Sequence, residues 1–151
     1  MIRKAGKEHL EIITGLALQM WSDHSPQELQ EEFSAIIAGE NAQFFLKYNR
    51  DTPVGFAQCQ LRTDYVEGTA SSPVGYLEGI FVQEAYRRRG FAGELLSACE
   101  KWAADRGCSE FASDCELDNK ESLAFHLRMG FAEAGRIICF SKKLQQSRCK
   151  R

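Results

Sequence analysis

The spacing of hydrophobic residues changes several times along the chain, and each change marks an element. Residues 2–4 read as a short first strand. Between Lys7 and Trp21, the residues Leu10, Ile13, Leu16, Ala17, Met20 and Trp21 recur at helical spacing. A second helix has a legible start, with Ser25 as N-cap, Pro26 at the first helical position and Glu28 three residues after the cap. Its apolar stripe is Leu29, Phe33, Ile36 and Ile37, and Gly39 suits its exit. Residues 43–48 and 54–61 read as strands, and the turn Asn49-Arg50-Asp51-Thr52-Pro53 between them predicts an antiparallel hairpin.

A polar loop over 63–73 separates that hairpin from a third main strand at 75–82, which leads into Arg87-Arg88-Arg89-Gly90. The longest amphipathic helix follows, with Leu95, Leu96, Cys99, Trp102 and Ala103 on one face and Gly107 at its end. A strand at 110–115 comes next, then a helix from Asp118-Asn119 to Met129-Gly130. The chain closes on a hairpin-like pair at 131–133 and 136–142. This order predicts a mixed α/β fold. Its central sheet is mostly antiparallel, with a parallel step after Val82, and is flanked by helices.

Composition narrows the function. With 44% hydrophobic and 26% charged residues, the 151-residue chain reads as one globular domain over 1–144 with a polar tail at 145–151. No apolar run reaches the ~20 residues that span a bilayer, and the start lacks the apolar core of a secretion signal. A membrane partner is not expected. The formal net charge of −2 argues against a general nucleic-acid binder. The six cysteines show no metal-finger spacing, so reduced thiols in the cytoplasm are expected and no metal site.

Arg87-Arg88-Arg89-Gly90-Phe91-Ala92-Gly93 stands between a strand and a long helix. Cations at a helix N-terminus oppose the macrodipole at a few tenths of a kcal/mol each, so three of them there call for an anion. Free N–H groups at that helix start, with glycines permitting close approach, suit a pyrophosphate. A solvated basic run is the simpler alternative. Neither a Walker loop nor the three-glycine dinucleotide fingerprint fits.

What does fit is R-x-x-G-x-A, from Arg87 through Gly90 to Ala92, and it resembles the acyl-CoA pyrophosphate loop of the GCN5-related N-acetyltransferase (GNAT) superfamily. Asn119 followed by Phe125-His126-Leu127-Arg128-Met129-Gly130-Phe131 resembles the superfamily's C-terminal segment. Trp21, the stretches 64–68 and 72–82, and Phe111-Ala112-Ser113-Asp114 are similar to aminoglycoside 6'-N-acetyltransferases of the type I group. The likeness covers nearly the whole chain, fading after about Leu144.

The resemblance implies the GNAT acyl-CoA N-acyltransferase fold, acetyl-CoA as co-substrate and an aminoglycoside as acceptor, with antibiotic resistance as the outcome. It implies a homodimer. Ile80, Phe81 and Val82 would bind the pantetheine arm along their backbone, Arg88, Arg89, Gly90, Phe91, Ala92 and Gly93 the pyrophosphate, and Asn119 the pantetheine. Trp21, Tyr65, Glu78 and Asp114 would contact the acceptor, with Asp114 orienting the amine or taking its proton. His126 stands where many members carry a tyrosine near the sulfur, so it is either a proton donor or a helix-packing residue. A family carboxylate just beyond the Gly-Phe segment is matched by Gly135, and Glu133 is the candidate replacement.

From the residues themselves, Glu78 inside an apolar strand needs a partner, either a bound ammonium or a nearby arginine, unless it lies on an exposed strand face. Two other classes remain open: a same-fold acetyltransferase for a polyamine or protein amine, and a non-catalytic acyl-CoA or aminoglycoside-binding module.

Overall fold

A computed structural model describes residues 1–145. The elements follow the periodicities closely: β1 (Ile2–Ala5), α1 (Leu10–Met20), α2 (Pro26–Ala38), β2 (Ala42–Asn49), β3 (Thr52–Arg62), β4 (Val74–Val82), α3 (Phe91–Asp105), β5 (Phe111–Ser113) and α4 (Lys120–Arg128). Ser25 caps α2 as its sequence predicts, its side chain accepting the Glu28 N–H, with Pro26 opening the helix.

The five strands lie in chain order, β1-β2-β3-β4-β5. The first three pairings are antiparallel and β4–β5 is parallel, so the expected parallel step after Val82 is present. Alternation along the strands sorts side chains to two faces. Phe44, Leu46 and Phe56 pack with Ile13, Leu16, Leu29 and Phe33 of α1 and α2. Phe45, Ala57, Cys59 and Leu77 pack on the other face with Leu95, Leu96, Cys99 and Trp102 of α3. Both thiols, Cys59 and Cys99, are buried and free.

Strand β4 departs from regularity in two places. Cys59 pairs with Leu77 and Gln58 with Gly79, so Glu78 is an extra residue with no opposite number, a β-bulge. Pairing between β4 and β5 covers only Gly75–Leu77 against Phe111–Ser113. Beyond Leu77 the two strands part, which is why β5 is half the length its composition predicts. Among the described residues, no strand covers that edge of β4 from Glu78 to Val82.

The expected C-terminal hairpin at 131–133 and 136–142 is a correction. Residues 131–145 form no regular element, and Ile137, Ile138 and Phe140 are 78%, 80% and 90% exposed. Their β-branched and aromatic character suits a strand, but a strand needs a neighbour to bond to, and this segment finds none among the described residues. The polar tail expected at 145–151 lies, apart from Gln145, outside the described residues. No helix of the described residues is long and apolar enough to cross a membrane.

Candidate active site

The arginine loop is built for an anion by its backbone as well as its side chains. Arg88 has φ 66° and Gly90 φ 79°, so two residues of one short loop adopt the left-handed region. For arginine that conformation costs ~1–2 kcal/mol, a strain retained where a loop must aim its N–H groups inward. Gly90 is the N-cap of α3 and has no side chain to offer, so the first N–H groups of the helix have no capping acceptor.

The three arginines divide their work. Arg87 donates from Nε to the Val82 carbonyl at 2.7 Å and so ties the loop to the end of β4. Arg88 and Arg89 are exposed, and among the described residues neither forms an ion pair; Arg89 lies 5.4 Å over the Tyr86 ring. Glu94, the one acid of the first turn, is taken by Lys47 of β2 at 2.9 Å. Phe91, Ala92 and Gly93 form the partly buried first turn itself.

These residues fit a diphosphate carrier: free cations, uncapped N–H groups and a glycine into whose Cβ position nothing intrudes within 4 Å. The open β4 edge continues the track. Ile80, Phe81 and Val82 keep their side chains in the two cores while the backbone edge faces the gap between β4 and β5. Asn119 caps α4 by accepting the Ser122 N–H at 3.1 Å through Oδ1, which leaves its amide nitrogen available as a donor.

On the α1 side of the sheet, three polar residues of β3 and β4 meet Asp114, which follows β5. Arg62, the last residue of β3, donates to both carboxylate oxygens of Glu78, from Nη2 at 2.9 Å to each and from Nε to Oε2 at 3.1 Å. Its guanidinium lies 3.4 Å from the centroid of the Tyr76 ring. The Tyr76 hydroxyl donates to Asp114 Oδ2. Burial raises the Glu78 carboxyl above its ordinary range, and Arg62 opposes that rise. Burial, reinforced by the Asp114 hydrogen bond, raises the Tyr76 phenol. Of the two partners weighed for Glu78, the arginine is present.

Trp21 follows α1, and the outer edge of its ring reaches the backbone of β4. A Cβ on Gly79 would come within 2.8 Å of its ring, so glycine is what allows the approach. The ring also meets Phe33 and Phe56 at 6.4 and 6.1 Å, which makes Trp21 both core edge and neighbour of Glu78. Tyr65 is 76% exposed on a loop anchored by Val66 against Val74 and Tyr76. Glu133 is exposed and paired with Arg136, and the chain just after it runs along Glu67 and Gly68. The structure therefore gathers Trp21, Glu78 and Asp114 on one face and leaves Tyr65 and Glu133 outside that contact network.

His126 is held at both nitrogens. Nδ1 lies 2.6 Å from the Ser122 carbonyl and Nε2 2.8 Å from Ser113 Oγ. With Nδ1–H donating to the carbonyl, Nε2 accepts from the serine hydroxyl. Ser113 is the last residue of β5, beside the point where β4 and β5 part.

Sequence reading missed Arg62, Tyr76 and Ser113. The available signal was parity. Tyr76 and Glu78 are two apart on one strand, and Arg62 ends the neighbouring one. Two open surface depressions beside α2, near 260 and 620 Å³, share no residue with this cluster.

Known proteins place nearly the whole chain in a family. The profile of the acetyltransferase (GNAT) family matches residues 10–131. The chain is 37% identical over 142 residues to "Aminoglycoside N(6')-acetyltransferase type 1" of Salmonella enteritidis, covering 94% of this chain and 98% of the relative. It is 39% identical over 143 residues to the protein of that name from Acinetobacter haemolyticus, covering 95% and 98%. Among solved structures it is similar to AAC(6')-Iy in complex with the bisubstrate analog CoA-S-monomethyl-acetylneamine, with TM-score 0.92, 37% identity and coverage of 95% and 98%. It is also similar to AAC(6')-Ih from Acinetobacter baumannii, with TM-score 0.88, 36% identity and coverage of 96% and 99%.

Proposed function

The chain belongs to the acetyltransferase (GNAT) family, and from that premise we propose that it transfers the acetyl group of acetyl-CoA to the 6'-amine of aminoglycoside antibiotics, conferring resistance. One observation carries this reading: two unpaired arginines before an uncapped helix start follow a strand whose middle carries Glu78, with Asp114 just past the end of the strand beside it. A diphosphate thioester and a polycationic acceptor are the pair that such a division of charge fits.

Acetyl-CoA, when bound, supplies an activated acetyl group. Arg88, Arg89 and the N–H groups of Gly90, Phe91, Ala92 and Gly93 would hold its pyrophosphate. The backbone of Ile80, Phe81 and Val82 would hold its pantetheine arm as an added strand, helped by the Asn119 amide. An N–H of that edge aimed at the thioester carbonyl would favour charge building on its oxygen. Trp21 offers a flat face to a sugar, Tyr65 reaches it from the loop, and Glu133 is available at the entrance. Asp114, fixed by Tyr76, orients the amine and accepts its proton directly or through water. His126, once protonated at Nε2, would be able to return a proton to sulfur through Ser113, beside the strand gap. Bringing donor and acceptor together supplies several kcal/mol without a covalent enzyme intermediate.

Residues 1–144 act here as one acetyltransferase domain. Free buried thiols support work in a reducing cytoplasm. The exposed arm with Ile137, Ile138 and Phe140 supports a homodimer in which a second copy gives that arm its missing strand neighbour. Sedimentation should then give twice the 17.1 kDa chain mass, and replacing the three residues with serine should give monomers.

The deciding experiment is CoA release with aminoglycosides that carry or lack a free 6'-amine, with mass measurement of the products. Acetylation restricted to 6'-amino drugs supports the reading. Equal turnover of simple polyamines would favour the polyamine alternative, and tight drug binding without product would favour a sequestering module.

A further inference from the structure

We propose that Arg62 is a specificity-determining residue, a built-in cation that occupies Glu78 until an acceptor carrying several positive charges displaces it. This rests on the acidic face being the acceptor site. Its guanidinium makes three hydrogen-bond contacts to the Glu78 carboxylate, the geometry that an incoming ammonium would have to replace.

The two partners are unequally placed. The Arg62 side chain is 37% exposed and that of Glu78 19%. The cation therefore lies on the solvent side of the pair, and an acceptor reaching for the carboxylate meets Arg62 first. Arg62 also ends β3, next to the loop at 63–73, so it can leave by rotating its side chain while the sheet stays paired. Glu78, on a bulge in the middle of β4, has no comparable freedom.

Displacement costs the fork and the stack on Tyr76. A monoamine exchanges one cation for another at Glu78 and gains little. A polycation brings further ammonium groups, and Asp114, just past the end of β5 and held by the Tyr76 hydroxyl, is there to receive one. Arg62 thus filters acceptors by their number of charges. A purely structural ion pair makes the opposite prediction, because Glu78 would lose its position when Arg62 is removed.

The test compares wild type with Arg62→Gln and Arg62→Lys, using a 6'-amino aminoglycoside and the monoamine 6-amino-6-deoxyglucose. With Arg62→Gln, KM for the aminoglycoside should fall three- to tenfold and KM for the monoamine should fall further, so that discrimination between them shrinks about tenfold. Arg62→Lys, which keeps the charge and loses the fork, should retain most of the discrimination. In a Glu78→Gln background, Arg62→Gln should change neither KM. Calorimetric CoA affinity reports that each variant is folded, and Arg62→Met, which removes the charge and keeps much of the side-chain length, carries the test with the same expected loss of discrimination if Arg62→Gln is not. A KM that rises in Arg62→Gln, or discrimination left intact, overturns the inference while leaving the acetyltransferase reading standing. If the wild-type enzyme acetylates no aminoglycoside, it is that reading which falls.

Discussion

Glu94 is a carboxylate in the first turn of the helix that faces the anion loop, where it would compete with a bound diphosphate if Lys47 did not neutralise it. Lys47 is buried, its ammonium 2.9 Å from Glu94 and 4.3 Å from the centroid of the Phe91 ring. Replacing either partner separates stability from cofactor affinity. Glu94→Gln leaves a buried ammonium with the Phe91 ring and the Met1 amino group beside it and no carboxylate. Losing one partner of a fully buried pair costs ~3–5 kcal/mol, and the half-exposed position of Glu94 lowers that to about 2 kcal/mol. For a chain of this length Tm should fall by roughly 4–8 °C. Lys47→Met keeps the volume and the Phe91 contact and leaves Glu94 solvated, so its cost should be about 1 kcal/mol or less.

Affinity should move the other way. Glu94 lies about one turn, some 5–8 Å, into the helix. One unit of charge at ~8 Å through an effective dielectric of about 60 amounts to ~0.7 kcal/mol, roughly a threefold change in Kd. Glu94→Gln should bind CoA about threefold tighter despite its lower Tm, and Lys47→Met about threefold weaker despite near-normal stability. Thermal melts and calorimetry at two salt concentrations measure both. The reasoning is refuted if Glu94→Gln weakens CoA binding, or if Lys47→Met is the more destabilising of the two.

Arg89→Ala should weaken CoA binding about tenfold, near 1.4 kcal/mol, with a shallower salt dependence; unchanged affinity would remove Arg89 from the cradle. Gly79→Ala pushes a methyl into the Trp21 ring at 2.8 Å. It should cost ~1–3 kcal/mol in stability and raise the aminoglycoside KM with CoA affinity retained, tracked by the tryptophan emission of the free protein. Burial raises the Glu78 carboxyl, so the folded protein holds that proton more tightly than the unfolded chain does. The stability of wild type relative to Glu78→Gln should therefore decline as pH rises from about 4 to 7, and melts across that range should show the difference shrinking or reversing.

What the sequence revealed was local. Ser25, Pro26 and Glu28 cap a helix through neighbours in the chain, and the arginine loop reads as an anion site because strand, glycine and helix are contiguous. An arginine partner for Glu78 was one of three open possibilities, and its identity as Arg62 depends on the register between β3 and β4 and on the bulge between them. The clamp of Tyr76 on Asp114 likewise requires knowing that β4 and β5 run side by side only as far as Leu77 and Ser113. The C-terminal segment shows the converse failure. Its composition says strand, but composition does not supply an edge to pair with, so Ile137, Ile138 and Phe140 stand in solvent.

The unpaired residue at Glu78 is a length the strand can lose without losing its register. Deleting it would set Gly79 opposite Gln58 directly after Leu77 opposite Cys59, with Ile80 still toward the third helix and Phe81 still toward the first two. A one-codon loss there would straighten the edge and strip the acceptor pocket of its carboxylate while sparing the cofactor track.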